Sequence, residues 1–279
     1  MTTLLRTVLG TTVYALIVAL AAPFPSAAGL MLVFPTLNGL AYLFSDRRHL
    51  LGMARSMIWM PVVNGVLCFA FLAAFVALAP RVAPGVLAWA LLAAGLAAFV
   101  ALVQLPCVRR GIADGRQVAF ALLATIVGLA LALALHRVLG ASLPPASPEP
   151  LAAALAAVSR NAPKIAVFAA CLAAFLVASE KMPMSDATRG ILAGLPFAPF
   201  GGLVSIAADT GIDLDARLAI MREMTASLPA GPAIAIWFIH AVPRALLASP
   251  AGGWRPAALL GAAWIASGLA VLATTAVLG

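Results

Sequence analysis

The sequence predicts an all-α, polytopic membrane protein of about nine transmembrane helices, arranged as a 4+1+4 inverted-topology repeat. Three observations predict it. Of 279 residues, 64% are hydrophobic and only 9% are charged, with a mean hydropathy of +1.10. Soluble domains carry about 25% charged residues, so this chain has too little polar surface to cover itself in water. The apolar runs reach the length of about 20 residues needed to cross hydrocarbon. Finally, one motif recurs in the two halves.

The charged and proline-rich breaks cut the chain into spans near 7–23, 27–45, 57–79, 84–105, 117–136, 163–179, 190–208, 227–247 and 256–278. The first also reads as a signal peptide, with Arg6, an apolar stretch and then Ser26-Ala27-Ala28-Gly29. The sixth is its counterpart in mid-chain and cannot be a signal, so both are taken as membrane helices. Between spans five and six, 137–162 forms the longest connection. There Ser147-Pro148-Glu149 opens an Ala/Leu run that reads as a short surface helix.

With the N-terminus in the cytoplasm, only Arg81, Arg137, Arg160, Lys164, Arg217 and Arg222 of the 17 Lys and Arg fall outside. The positive-inside rule therefore favours N-in and C-out. The net charge of +8 is an orientation signal, and nucleic acid is not an expected partner. Cys68, Cys107 and Cys171 form no C-x-x-C pair and read as small buried hydrophobes.

The repeat aligns Phe34–Asp46 with Phe197–Asp209, matching Phe34 to Phe197, Gly39 to Gly202, Leu40 to Leu203 and Asp46 to Asp209. After a short insertion Met53 meets Met221 and Pro61 meets Pro229. Each half reads as a broken apolar helix, an aspartate, a charged amphipathic loop and a span opening near a proline. The domains are then 1–108, a linker helix with its outer loop over 109–162, and 163–279. Span five separates the halves, so they enter the membrane from opposite faces. A parallel repeat with one span miscounted is the competing arrangement.

Matched Pro/Gly interruptions in inverted repeats point to a transport site near the bilayer midplane. Proline removes a backbone donor, and the freed carbonyls must find partners in protein or in a wet cavity. Pro35, Thr36, Asn38 and Gly39 are expected to break span two. Pro196, Pro199, Gly201 and Gly202 are expected to break span seven. Asn38 and Asn64 are carboxamides at membrane depth, where polar groups are costly and face a bundle interior. The candidate ligand-binding set is thus Pro35, Thr36, Asn38, Gly39, Asn64, Pro199, Gly201, Gly202 and Pro229. Simple kinks and close helix packing are the plain alternative.

Asp46, Asp209 and His240 are candidates for gating or coupling. Local capping and arginine pairing compete for the aspartates, and a structural role for the histidine. Asp213, Asp215, Arg217, Arg222 and Glu223 alternate in sign and read as a solvated amphipathic helix. No H-E-x-x-H, G-x-S-x-G or Walker A pattern occurs, so no catalytic residues, no metal and no cofactor are expected and the chain is not read as an enzyme.

Gly29, Leu30, Phe34-Pro35-Thr36, Ala41, Ser45, Arg55, Trp59 and Pro61 resemble the pattern of the GlpM type of small bacterial inner-membrane proteins. A blurred second copy lies at 190–229. The resemblance implies an inner-membrane protein tied to cell-envelope or exopolysaccharide production. It brings no catalytic residues, and this chain is about twice the length of that type.

The partners expected are the lipid bilayer and a small-molecule, ion or lipid-linked substrate. Two function classes follow. One is a small secondary transporter or exporter with its ligand between spans two, three, seven and eight, a channel being the one-gate variant. The other is a non-transporting accessory subunit of an envelope-biosynthesis complex, docking through 46–55 and 209–223. A homo-oligomer is compatible with either.

Overall fold

Helix ends and helix breakers set the elements. In the computed structural model, residues 2–32, 49–104, 149–180, 185–195, 197–228 and 231–248 are described, with isolated positions at 123, 127, 130, 134, 258, 262 and 266. Every element among them is helical. In chain order they are α1 (Thr2–Ala21), α2 (Pro25–Met31), α3 (Leu50–Met57), α4 (Met60–Leu78) and α5 (Pro84–Leu102). The second half gives α6 (Pro150–Glu180), α7 (Asp186–Ala193), α8 (Phe197–Ala207), α9 (Leu214–Ser227) and α10 (Gly231–Ala248).

Local chemistry explains the boundaries. Pro25, Pro61 and Pro84 stand in the first turns of α2, α4 and α5, where a missing N–H costs nothing. Ser185 caps α7 by accepting from the Thr188 N–H at 3.2 Å, and Asp213 caps α9 by accepting from Ala216 at 2.7 Å. Pro163 and Pro243 lie inside α6 and α10 without ending them. Among the described residues, four stretches are long and apolar enough to cross a membrane: 4–21, 50–78, 84–102 and 150–177.

Two expectations change here. The surface helix and sixth span are one helix, α6, whose 31 residues extend to roughly 46 Å at the usual rise. That exceeds the ~30 Å of hydrocarbon, so α6 carries the residues 150–162 as a continuation of the span rather than a separate element. The break in span seven lies at Gly194–Leu195, next in sequence to Pro196, which is outside the described residues; the other expected breakers, Pro199, Gly201 and Gly202, sit within α8. Gly194 ends α7 by donating its N–H to Gly190 and Ile191, and Leu195 donates to Leu192.

The core fills the space between α1, α4, α8 and α9, with Tyr14, Ile17, Phe71, Phe75, Phe200, Leu203, Met221 and Met224 all buried. A second cluster joins Met53, Met57 and Ile58 to Ile236, Phe238 and Ile239. Val86, Trp89 and Val100 on α5 and Leu151, Leu155 and Val167 on α6 point outward, each at least 60% exposed. Such an apolar exterior fits contact with lipid and not with water. Cys68 is buried as expected, whereas Cys171 is exposed on α6; Cys107 lies outside the described residues.

The helices pair across the two halves. α2 packs on α9, and α7 packs on α3. α4 meets α9 and α10, α10 meets α3, and α1 packs on α6 and α8. Glycines allow the closest crossings. Gly190 lets α7 approach the Met53 carbonyl of α3, where a Cβ would stand 2.5 Å from that oxygen.

Candidate functional site

The interruption of span seven meets the first turns of α4. Asn64, 9% exposed, donates from Nδ2 to the Gly194 carbonyl at 2.8 Å. The assignment of its amide is forced, because a carbonyl oxygen cannot face Oδ1 at that distance. Its Oδ1 is buried and finds no hydrogen-bond partner among the described residues. Next to it Gly65 touches Pro232 of α10, with 2.8 Å from a built Cβ to the ring Cγ, and Gly194 lies against the Met60 side chain. Spans three, seven and eight therefore meet around Asn64 and Gly65.

Six of the expected site residues, Pro35, Thr36, Asn38, Gly39, Asp46 and Pro229, fall outside the described residues, as does Pro196. Gly201 and Gly202 are not at the break. They seat α8 on α1, against the Tyr14 ring and Ile17 respectively. Pro199 occupies the first turn of α8 and is partly buried.

Asp209 follows α8 and is 5% exposed. Its Oδ1 accepts from the Gly211 N–H at 2.9 Å, and its Oδ2 accepts from Arg160 and Asn161, both at 3.3 Å. The partner arginine is thus distant in sequence, on α6. Lys164 donates to Asn161 Oδ1 at 2.9 Å and to the Ser205 carbonyl at 3.4 Å. Ser205 in turn hydrogen-bonds the Tyr14 hydroxyl. This polar chain ties α1, α6 and α8 together.

Burial raises the Asp209 carboxyl, but the Gly211 N–H, the Arg160 guanidinium and the Asn161 amide outweigh it, so it titrates below its ordinary 3.8. A carboxylate held below its unfolded value stabilises the fold above about pH 4 and ceases to do so as pH falls through its folded value. Unfolding followed against pH should therefore show that Asp209→Asn flattens the acid limb below pH ~4 and leaves the slope near neutrality unchanged.

Glu223 departs from the solvated helix expected of 209–223. It is 1% exposed and accepts a hydrogen bond from Ser26 of α2. Arg217 likewise turns inward, donating to the Ala207 carbonyl at 2.8 Å, while Asp213, Asp215 and Arg222 remain exposed. At the α3–α7 crossing, His49 Nδ1 lies 2.7 Å from Asp186 Oδ1. On α10, Arg244 donates to His240 Nδ1 at 3.2 Å. Because arginine has no acceptor, that nitrogen is the ring's acceptor and Nε2 carries the proton.

Gly194, Asn161, Lys164, Ser205, Ser26 and Glu223 did not emerge from the sequence. Gly194-Leu195-Pro196 has the spacing of a helix stop, a glycine after the last turn and a proline two residues on, so that signal was present. Arg160, Asn161 and Lys164 share a helix face by their i, i+1, i+4 spacing. Burial of Glu223 leaves no such trace in the sequence. The chain matches no protein-family model, no curated protein and no solved structure.

Proposed function

We propose that this chain is a small secondary transporter or exporter of the inner membrane, built from inverted repeats with its site at the interrupted span seven. The reading is not enzymatic. The observation that carries it is an exchange of contacts between halves. The alignment of Phe34 with Phe197 sets α2 opposite α7, and that of Met53 with Met221 sets α3 opposite α9. α2 packs on α9 while α7 packs on α3, α4 packs on α9 while α10 packs on α3, and α4–α10 is its own image. Exchanged contacts of this kind are what a twofold relation produces. An odd linker span turns that axis into the membrane plane.

Asn64 stands beside the α4–α10 crossing, where the axis would pass, and holds the carbonyl of the broken helix. Unwound backbone at a repeat interface is the arrangement that lets one half rock against the other around a fixed site. Loop 209–223 directs Asp209, Arg217 and Glu223 inward, which leaves less charge for docking a partner. The resemblance to the GlpM type rests on its sequence residues, and links the cargo to envelope chemistry, including lipid-linked precursors.

Sidedness tests the reading. Single cysteines at His49 and Asp213, in a background lacking Cys68, Cys107 and Cys171, should differ in intact cells. An impermeant thiol reagent is expected to label position 213 at once and position 49 only after permeabilisation. Labelling of both, or of neither, would place the loops on one face and end the inverted-repeat account.

A further inference from the structure

We propose that Arg160 and Lys164 of α6 clasp the phosphate of an anionic phospholipid at the seam between α6 and α8. The site goes beyond the transport reading and does not depend on it; it needs only that α6 crosses the membrane.

Charge is unbalanced at this seam. Arg160 and Lys164 stand one turn apart, at i and i+4 on one face of α6. Among the described residues the carboxylate that faces them is Asp209, and it is already committed. Its Oδ1 accepts from the Gly211 N–H, and its Oδ2 accepts from Arg160 and Asn161. Lys164 donates to neutral oxygens, Asn161 Oδ1 and the Ser205 carbonyl. Of the donors on the Arg160 guanidinium, Nη2 is engaged, and 38% of the side chain stays exposed. Two cations thus share one carboxylate, with N–H groups to spare. Arg217 adds to the excess from the adjoining turn, where it donates to the Ala207 carbonyl, while Asp213 turns its carboxylate to the cap of α9. Arg160 is also held in place. It lies across Gly211, where an added Cβ would stand 2.5 Å from its Cδ and 2.6 Å from its Nε.

Depth and neighbours make the missing anion a lipid. Val167, 63% exposed, continues the face of Arg160 and Lys164 at i+7. That face passes directly from the cations to an apolar surface suited to acyl chains. From Arg160 to the end of α6 at Glu180 the helix advances 20 residues, or about 30 Å, the thickness of the hydrocarbon. With the C-terminal end of α6 at one boundary of the membrane, Arg160 stands at the other, level with the lipid phosphates. Basic side chains between helices at that level recognise anionic headgroups, and a phosphate accepts charge-assisted hydrogen bonds from guanidinium and ammonium alike. A choline group would bring a cation of its own to the same two side chains, so a lipid of net negative charge is favoured.

Full-length protein, purified in detergent and stripped of lipid, is titrated with phosphatidylglycerol while its thermal unfolding midpoint is read. The midpoint should rise saturably. Phosphatidylcholine should raise it less, and inorganic phosphate at matched ionic strength should leave it where it was. In the Arg160→Gln, Lys164→Gln double variant the half-saturating phosphatidylglycerol concentration should rise about tenfold or more. Lys164→Arg, which keeps the charge, should respond like the wild type. Where the double variant does not fold, hydrogen exchange of the wild-type protein in nanodiscs replaces it. Phosphatidylglycerol should then protect 157–166 and 205–211, relative to phosphatidylcholine, above all other segments. An equal response to the two lipids would overturn the proposal, and an equal response to inorganic phosphate would assign the cations to a soluble anion instead. A double variant that responds like the wild type, or protection elsewhere, would overturn the location. None of these results bears on the sidedness of positions 49 and 213, so failure of the lipid site and failure of the inverted-repeat reading are told apart.

Discussion

Gly29→Ala is expected to destabilise the protein by about 3 kcal/mol, the upper part of the range for forcing atoms into a filled interior. Gly29 lies in α2, where backbone conformation would accept alanine, so the cost is steric. Its added Cβ would meet the Ser227 hydroxyl, stand 2.7 Å from the Met224 carbonyl oxygen and 2.9 Å from Met224 Cα. The last two atoms are backbone of α9 and cannot turn aside like the tip of a side chain. The helices must separate, and Ser26 then loses its reach to the Glu223 carboxylate. Gly85→Ala is the control, because nothing lies within 4 Å of the Cβ it would add. Thermal unfolding in detergent should show a lowered midpoint for Gly29→Ala and none for Gly85→Ala. Equal midpoints would mean that α2 and α9 do not cross this closely.

Asp209→Ala is expected to cost about 1–3 kcal/mol, the penalty for leaving buried donors without an acceptor. Arg160, Asn161 and the Gly211 N–H all donate to this one carboxylate. Removing it strands them at the junction of α6 and α8, and leaves Lys164 and Arg160 without their nearest negative charge. Asp209→Asn keeps one acceptor oxygen and should lose about half as much. The pair of variants separates this account from simple cavity formation, which would make asparagine neutral. Denaturation of both variants and of Arg160→Gln, alone and combined with Asp209→Asn, measures the coupling; additive losses would sink the proposed network. Arg160 is 38% exposed, so its own share should be the smaller part.

Membrane character and helix class were legible in the residues themselves. A chain with 9% charge has no alternative to lipid for its apolar surface, and apolar length alone located α1, α4 and α5. Caps at Ser185 and Asp213 and prolines at 25, 61 and 84 likewise act within a few residues of chain, so they too lie within reach of sequence. Asn64 was singled out for a similar reason, since a carboxamide at membrane depth must have a purpose or a partner.

The tertiary structure decided which atom that partner is, because a bond to Gly194 joins residues 130 positions apart. It also placed the break in span seven at Gly194–Leu195, next to the first residue of the expected set Pro196, Pro199, Gly201 and Gly202, and left the last three inside α8. A proline in the first turn and two glycines facing Tyr14 and Ile17 are read by sequence rules as breakers, yet packing uses them as contact points. Asp209 was read as a gate carboxylate or as a group that caps or pairs locally; it accepts locally from the Gly211 N–H, but its arginine, Arg160, comes from α6. Glu223 looked solvated from its charged neighbours and is buried because α2 covers that face of α9. Sequence determines what each segment is able to do with its own backbone and with its solvent. Which partner satisfies a buried polar group depends on how helices distant in the chain are brought together, and only the assembled fold contains that information.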